Sequence, residues 1–315
     1  MSYQKQFQGD TKKLGRVAVL YGGFSAEREI SLLSGETVLC GLLDAGVDAI
    51  GVDVSKNMVS ELIAIKCDRV FIALHGIGGE DGKAQALLEL LDIPYTGSGV
   101  AASAVALDKL KTKHIWQGVG LPTPKYAVLS ESSDWSSVLD NLGGEVFVKP
   151  ANEGSSLGIC CACTADELKE AYLNALPFDK NVIAETKITG REFSVSILNG
   201  VALPAIELKT NNVFYDYDAK YFSDETQYIF PEDLTRREQE DLSALAIQAF
   251  CALDCQAWGR VDFMQDQEGK FYLLEVNTIP GMTSHSIYPM SAKKIGLELG
   301  ELLLEILATT TDASA

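Results

Sequence analysis

Glu275 and Asn277 stand two residues apart in "LEVN", and Arg260 and Asp262 repeat that spacing in "WGRVDFM". In a strand, alternate side chains share a face, so each pair projects to one side. The two runs flank "QDQEG", which predicts an antiparallel hairpin. With Glu268-Gly269 as a two-residue loop, Asp262 lies opposite Glu275 and Arg260 opposite Asn277. A four-residue loop leaves the same residues on one face, whereas a three-residue loop sends them to opposite faces. Two carboxylates and a carboxamide oxygen on one face suit a hard divalent ion, Mg²⁺ above all, with phosphate oxygens and water completing its shell. The alternative for the same residues is a surface ion-pair ladder joining Arg260 to Asp262 or Glu275.

Cations supply the complementary half. Lys149 ends an apolar run before Pro150, Lys109 sits in "LDKLKTK", and Lys220 falls in the aromatic, charged stretch 209–231. Gly154-Ser155-Ser156 between "EVFVKP" and "GICCACT" reads as a hairpin tip whose backbone N–H groups can fold over a phosphate. Three lysines, a Gly/Ser loop and an acidic face together suggest an ATP-Mg²⁺ site between two α+β units. Beyond Asn277, "TIPGMTSHS" breaks into a proline-glycine turn carrying Gly281, Ser284 and Ser286.

The elements that must position these groups are legible from periodicity. "RVAVLY", Gly22-Gly23 and a helical run from Ile30 to Leu42 read as strand, tight turn and helix, and "DAIGVDV" and "RVFIALHG" add strands. Strands alternating with helices predict a parallel, doubly wound sheet, with ligands beyond the carboxyl ends at Gly22–Arg28 and His75–Gly82. After "LPTP" the pattern changes to two α+β units. Asn199-Gly200 signals a second hairpin, Leu242, Leu245, Ala246, Ala249, Phe250 and Leu253 mark an amphipathic helix, and "LELGELLLEILA" a closing one. The stretch 209–231 has the length and composition of a lid.

Bulk properties narrow the class. The 315 residues suggest two or three units. A net charge of −18, with 26 basic against 44 acidic residues, excludes a nucleic-acid binder, which needs clustered Lys/Arg. The opening "MSYQKQFQGDTKKLG" lacks an apolar signal core, and no run of 18 apolar residues occurs, so neither secretion nor membrane insertion is expected. Seven cysteines form no even framework, which fits a cytoplasmic protein. Cys160, Cys161 and Cys163 alternate across a strand with no nearby His, so buried thiols are expected there rather than a metal.

The motifs "GGFSAEREISLLSG", "ALHGIGGEDG", "YTGSGVAASAVALDK", "VKPANEGSSLG", "FYDYDAKY", "WGRVDFM" and "EVNTIPGMTSHS" resemble, in order and over residues 14 to 310, the D-alanine–D-alanine ligases of the ATP-grasp superfamily. The resemblance implies a three-domain α/β fold: a flexible tail at 1–13, a Rossmann-like substrate domain at 14–107, and two α+β domains at 108–189 and 190–315 enclosing ATP, the last with its lid at 209–231. It implies ATP-dependent joining of two D-alanines through a D-alanyl phosphate, for peptidoglycan synthesis, by a homodimer. Lys109, Lys149 and Lys220 would meet phosphates, Glu185 the adenine segment and Glu192 the ribose. Asp262, Glu275 and Asn277 would hold two Mg²⁺ or Mn²⁺ ions, with K⁺ as an open addition. Glu27 would hold the first D-alanine's ammonium, linked to Ser155 and Tyr221 on lid closure. Arg260 and the Gly281 N–H would steady the oxyanion, Ser286 the second carboxylate, and His75 would order the first site or act as a local cap. Tyrosine at 221, where depsipeptide-forming relatives carry phenylalanine, implies the dipeptide as product.

Two rivals differ in class or substrate. Another ATP-grasp carboxylate–amine ligase would share Lys149, Asp262, Glu275 and Asn277 without the Glu27 and Ser286 pattern. A dinucleotide-binding protein would rest on "GGFSAE", which is not a full G-x-G-x-x-G.

Overall fold

The computed structural model describes residues 3–7, 9–154, 158–209 and 227–311. Ser155, Lys220 and Tyr221 therefore lie outside the described residues.

Three sheets carry the chain. In the first, β1 (Arg16–Gly22) pairs in parallel with β2 (Asp48–Val54) on one side and β3 (Arg69–Ile72) on the other. Val17, Ala18, Val19 and Leu20 are all fully buried, the continuous apolar run of a parallel strand covered on both faces. Helix α1 (Arg28–Asp44) returns from β1 to β2, followed by α2 (Met58–Ala64) and α3 (Lys83–Leu90). Gly35 permits the close approach of α1 to the sheet, since a Cβ there would stand 2.1 Å from the Tyr21 side chain.

Next come α4 (Val100–Leu107) and α5 (Lys109–Gly118), the latter started by the Asp108 carboxylate accepting from the Lys111 N–H. The second sheet is antiparallel, in the order β4 (Tyr126–Leu129), β7 (Val182–Thr186), β5 (Val146–Pro150), β6 (Cys160–Ala162). It packs on α6 (Trp135–Asn141) and α7 (Ala165–Ala175). β5 and β6 form the expected hairpin around the Gly/Ser loop, with Val146 opposite Ala162.

The third sheet runs β11 (Gln227–Ile229), β10 (Ile206–Lys209), β8 (Gly190–Leu198), β12 (Trp258–Asp266), β13 (Phe271–Asn277), with β9 (Val201–Ala202) also on β8. The Asn199-Gly200 turn has φ of 50° and 75°, the left-handed pair such hairpins require. Helix α8 (Arg236–Cys251) lays Leu242, Ala246, Ala249 and Phe250 on this sheet. Of the stretch 209–231 expected to be a lid, Lys209 ends β10 and residues 227–229 pair with it, while Tyr228 and Phe230 pack against Ile206, Leu208 and Ile287; 210–226 lie outside the described residues.

Helices α9 (Ile287–Lys294) and α10 (Leu299–Ala308) then cross back to the first sheet. Leu302, Leu303, Ile306 and Leu307 share one core with Leu14, Val38 and Leu42. The leading residues, expected as a flexible tail, are docked where described. Tyr3 Oη donates to the buried Glu305 at 2.6 Å, and the N–H groups of Gln6 and Phe7 donate to the same carboxylate. A buried carboxylate needs such partners, and Leu14, 1% exposed, anchors the end of this stretch.

Candidate active site

Arg260 pairs with Asn277 and Asp262 with Glu275 across β12 and β13, as the alternation required. The route to that register differs from expectation. The turn has three residues, 267–269, closed by Asp266 N–H to Lys270 O at 3.0 Å, with Gly269 at φ 84°. This turn pairs Phe263 with Leu273, and the register shifts between Asp262 and Phe263. Leu274 is the extra residue. Its bulge undoes the face reversal a three-residue loop would impose and returns Glu275 and Asn277 to the face of Arg260 and Asp262.

Charges on this face are tightly engaged. Arg260 donates from Nε and Nη2 to the two oxygens of Asp262, each at 2.8 Å. Asn277 Nδ2 donates to Asp262 Oδ2 at 2.9 Å, and the Ser194 hydroxyl bonds Oδ1. The Glu275 carboxylate lies 3.3 Å from Lys109 Nζ, which also donates to Glu153 O at 2.7 Å. Chemically the three oxygen donors fit a hard divalent ion. Arg260, Ser194 and Asn277 all donate to the Asp262 carboxylate, so an ion there would compete with these donors.

Lys149 and Glu185 come from the second sheet. Glu185, 2% exposed, accepts from Lys149 Nζ at 2.9 Å on one oxygen and has Lys113 Nζ 3.1 Å from the other. Burial pushes the Glu185 carboxyl up, but the two ammonium groups outweigh it and hold the pKa below the usual range. For Lys149, burial pulls the ammonium down, and Glu185, Glu275 and Glu192 reverse the shift. Glu275 and Glu192 belong to the third sheet, with Glu192 half-buried on β8 between Leu208 and Met264. The two antiparallel sheets therefore face each other across a cleft rich in opposed charges.

The first sheet closes the cleft with Glu27, Gly76 and His75. Ser25 Oγ donates to His75 O at 2.7 Å and accepts from the Glu27 N–H at 3.2 Å, shaping the turn before α1. Glu27 makes no cap bond to its own helix. Its Oε2 is so close to two backbones that a Cβ at Gly76 would stand 2.5 Å away and one at Gly154 2.7 Å away. His75 Nε2 meets Ser34 Oγ at 3.0 Å. Burial pulls the imidazole down to about 4, so it is neutral near pH 7.

Glu27, His75, Lys109, Arg260, Glu275 and Asn277 line one cavity of about 1120 Å³, together with the 278–287 turn. In that turn a Cβ on Gly281 would stand 2.9 Å from Ser286 Oγ. Ser286 Oγ accepts from the Thr283 N–H at 3.0 Å. The sequence reading missed Glu80, which lines the same cavity and accepts from the Gly76 N–H at 2.7 Å. Burial, reinforced by the neighbouring Glu27 charge, pushes its carboxyl up to about 8. It also missed Lys113, fully buried, and Ser34, which accepts from the Met282 N–H at 3.2 Å. The Cys160, Cys161 and Cys163 thiols, expected to be buried, are only half-buried at 160 and 161 and exposed at 163, because β6, among the described residues, pairs on one side only, with β5. Cys163 donates to Glu167 at 3.1 Å.

A parallel sheet domain joined to two antiparallel sheets that face each other across a lysine-and-carboxylate cleft places this chain among the ATP-grasp proteins. Family models described as "D-ala D-ala ligase N-terminus" and "D-ala D-ala ligase C-terminus" match residues 56–98 and 115–308. The chain is 60% identical to the D-alanine–D-alanine ligase of Saccharophagus degradans, covering 98% of both chains, and 51% identical to that of Pseudomonas putida, covering 95% and 94%. Among solved structures, the D-alanine–D-alanine ligase of Bacillus anthracis complexed with ATP superposes with a TM-score of 0.83 at 31% identity, covering 95% of this chain and 98% of that one. The chain belongs to the D-alanine–D-alanine ligase family.

Proposed function

We propose that this chain joins two D-alanine molecules, using ATP, to make D-alanyl-D-alanine for the bacterial cell wall. The observation that carries this reading is a single cavity gathering Glu27, Arg260, Glu275, Asn277, Gly281 and Ser286, in a chain 60% identical to a named ligase. The first D-alanine's carboxylate attacks the γ-phosphorus, and ADP leaves. The second D-alanine's amine then attacks the acyl phosphate carbonyl, sheds a proton and expels inorganic phosphate.

Each residue has a role set by its place. Glu27, held at the floor by Gly76 and Gly154, pairs with the first substrate's ammonium. Lys109 and Lys149, with Lys220 from the 210–226 segment, neutralise phosphate oxygens, and Glu185 and Glu192 frame the nucleoside. Asp262, Glu275 and Asn277 are the ligands we assign to two Mg²⁺ or Mn²⁺ ions, which would offset the charge developing on the transferred phosphoryl group. Arg260, which lines the same cavity as Gly281, would stabilise the oxyanion of the second step beside the Gly281 N–H. Ser286 receives the second carboxylate, His75 braces α1 against the 279–282 turn, and Ser155 and Tyr221 complete the enclosure that keeps water from the acyl phosphate. We assign the ATP cleft to domains 108–189 and 190–315, the substrate floor to 14–107, and the working form to a cytoplasmic homodimer.

The test is phosphate release from Mg-ATP with D-alanine, L-alanine or no amino acid. Release confined to D-alanine, with a dipeptide product, is the expected result. Equal release with other acids and amines, or none with D-alanine, would sink the substrate assignment.

A further inference from the structure

Helix α5 grips strand β13 at two points one helical turn apart. At its first residue, Lys109 stands 3.3 Å from the Glu275 carboxylate. Four residues on, Lys113 is fully buried and donates to Thr123 Oγ1 at 2.6 Å. That hydroxyl, accepting from the lysine, donates its own proton to the Leu273 carbonyl at 2.9 Å. The Leu273 N–H in turn donates to Pro122 O at 2.9 Å. Both backbone groups of Leu273 on the outer edge of β13 are thus satisfied from outside the sheet, by the Pro122-Thr123 pair.

Leu273 is the last residue in the register imposed by the turn, and Leu274 is the bulge. This is where the hairpin's register changes. Were the turn's register to run on past Leu273, Leu274 would oppose Asp262 and Glu275 would project from the other face. The bulge therefore needs a clamp on its turn side, and Leu273 is the residue clamped. Burying an ammonium is costly unless it is fully partnered. Lys113 meets that cost with Thr123, with Glu185 at 3.1 Å and with the Tyr126 ring at 5.6 Å. An apolar residue would fill the same space without holding Thr123.

We propose that Lys113 and Thr123 are positioning residues for Glu275, pinning Leu273 at the bulge and so fixing the face on which the carboxylate meets the nucleotide's cation. The proposal deepens the site reading above and rests on Glu275 being a metal ligand. Because Lys113 also pairs with Glu185, the same side chain ties the nucleoside end of the cleft to its metal end.

The test uses Thr123→Val, which removes the hydroxyl at nearly constant volume, and Thr123→Ser, which keeps it. Mn²⁺ binding in the presence of a non-hydrolysable ATP analogue is followed by electron paramagnetic resonance, beside steady-state kinetics. Thr123→Val is expected to weaken Mn²⁺ binding roughly 10–100-fold, the range for groups that orient a metal ligand, while the KM for D-alanine holds and Thr123→Ser restores binding. A folded Thr123→Val that binds Mn²⁺ like the parent, or a Thr123→Ser equally impaired, overturns the proposal. If thermal melts show Thr123→Val unfolded, Thr123→Cys replaces it, since a thiol is a weak donor to Leu273. Glu275→Gln separates the two readings. Intact Mn²⁺ binding in Glu275→Gln means the metal assignment has failed; lost binding there with intact binding in Thr123→Val means only the clamp has.

Discussion

Arg260 and Asp262, neighbours on one face of β12, form a bidentate pair with both nitrogen–oxygen distances at 2.8 Å. The carboxylate proposed for the metal and the cation proposed for the oxyanion thus neutralise each other. Removing the guanidinium should separate these roles. Arg260→Met is expected to bind Mn²⁺ more tightly in the absence of nucleotide, because a competing cation is gone, yet to lower kcat by about 10²–10³-fold, the usual loss for an oxyanion donor. Weaker Mn²⁺ binding would show that Arg260 supports the metal site instead of competing with it.

Glu275 offers the most direct test of the acidic face. Glu275→Gln keeps the shape and removes the charge opposite Lys109. Ligation in magnesium buffer is expected to fall roughly 100-fold or more, as losing several kcal/mol of charge stabilisation implies, with the thermal melt little changed. Full activity would remove Glu275 from the metal set.

Glycine 154 is predicted to act through Glu27. A methyl group there would stand 2.7 Å from Oε2 and 3.0 Å from Oε1, so the carboxylate must move. Gly154→Ala should lower kcat/KM for D-alanine roughly 10–100-fold, as misplacing a reacting group does, with a smaller change in KM for ATP. A selective defect in ATP use would point to the phosphate loop instead.

The carboxyl of Glu80 gives a pH prediction with a definite sign. Its folded pKa of about 8 lies above the ordinary carboxylate value of 4.5 because burial and the Glu27 charge oppose ionisation. Between those values the folded state holds a proton that the unfolded state has lost, so this group's contribution to stability falls as pH rises from 4.5 to 8. Glu80→Gln should gain thermal stability relative to the parent across that window, and melts at pH 5 and pH 8 will measure it. A pH-independent difference would place the proton elsewhere.

Much of this arrangement is legible in the amino-acid order, and the gaps have physical causes. Alternation along "WGRVDFM" and "LLEVN" is enough to put Arg260, Asp262, Glu275 and Asn277 on a common face, because the strand period is two. The bulge at Leu274 leaves no mark, since one leucine within an apolar run can be either paired or extra. Lys113 is invisible for a related reason: in "LDKLKTK" a fully buried lysine and a solvated one are written alike, and only its packing against Glu185 and Thr123 distinguishes them. Glu80 sits in a glycine-rich turn readable as a turn, but the upward shift of its carboxyl comes from burial and then from Glu27, neither of which the local sequence shows. The docked N-terminal residues depend likewise on Glu305, about three hundred positions later.

The core that α10 shares with the first sheet sets a timetable for synthesis. Leu14, Val38 and Leu42 leave the ribosome early, whereas Leu302, Leu303, Ile306 and Leu307, which cover them, follow only after the whole intervening chain. At about 5–20 residues per second, the interval between Ile72 and Leu299 is roughly 10–45 s. During that time the nascent parallel sheet lacks the C-terminal helix that covers its apolar flank in the finished fold.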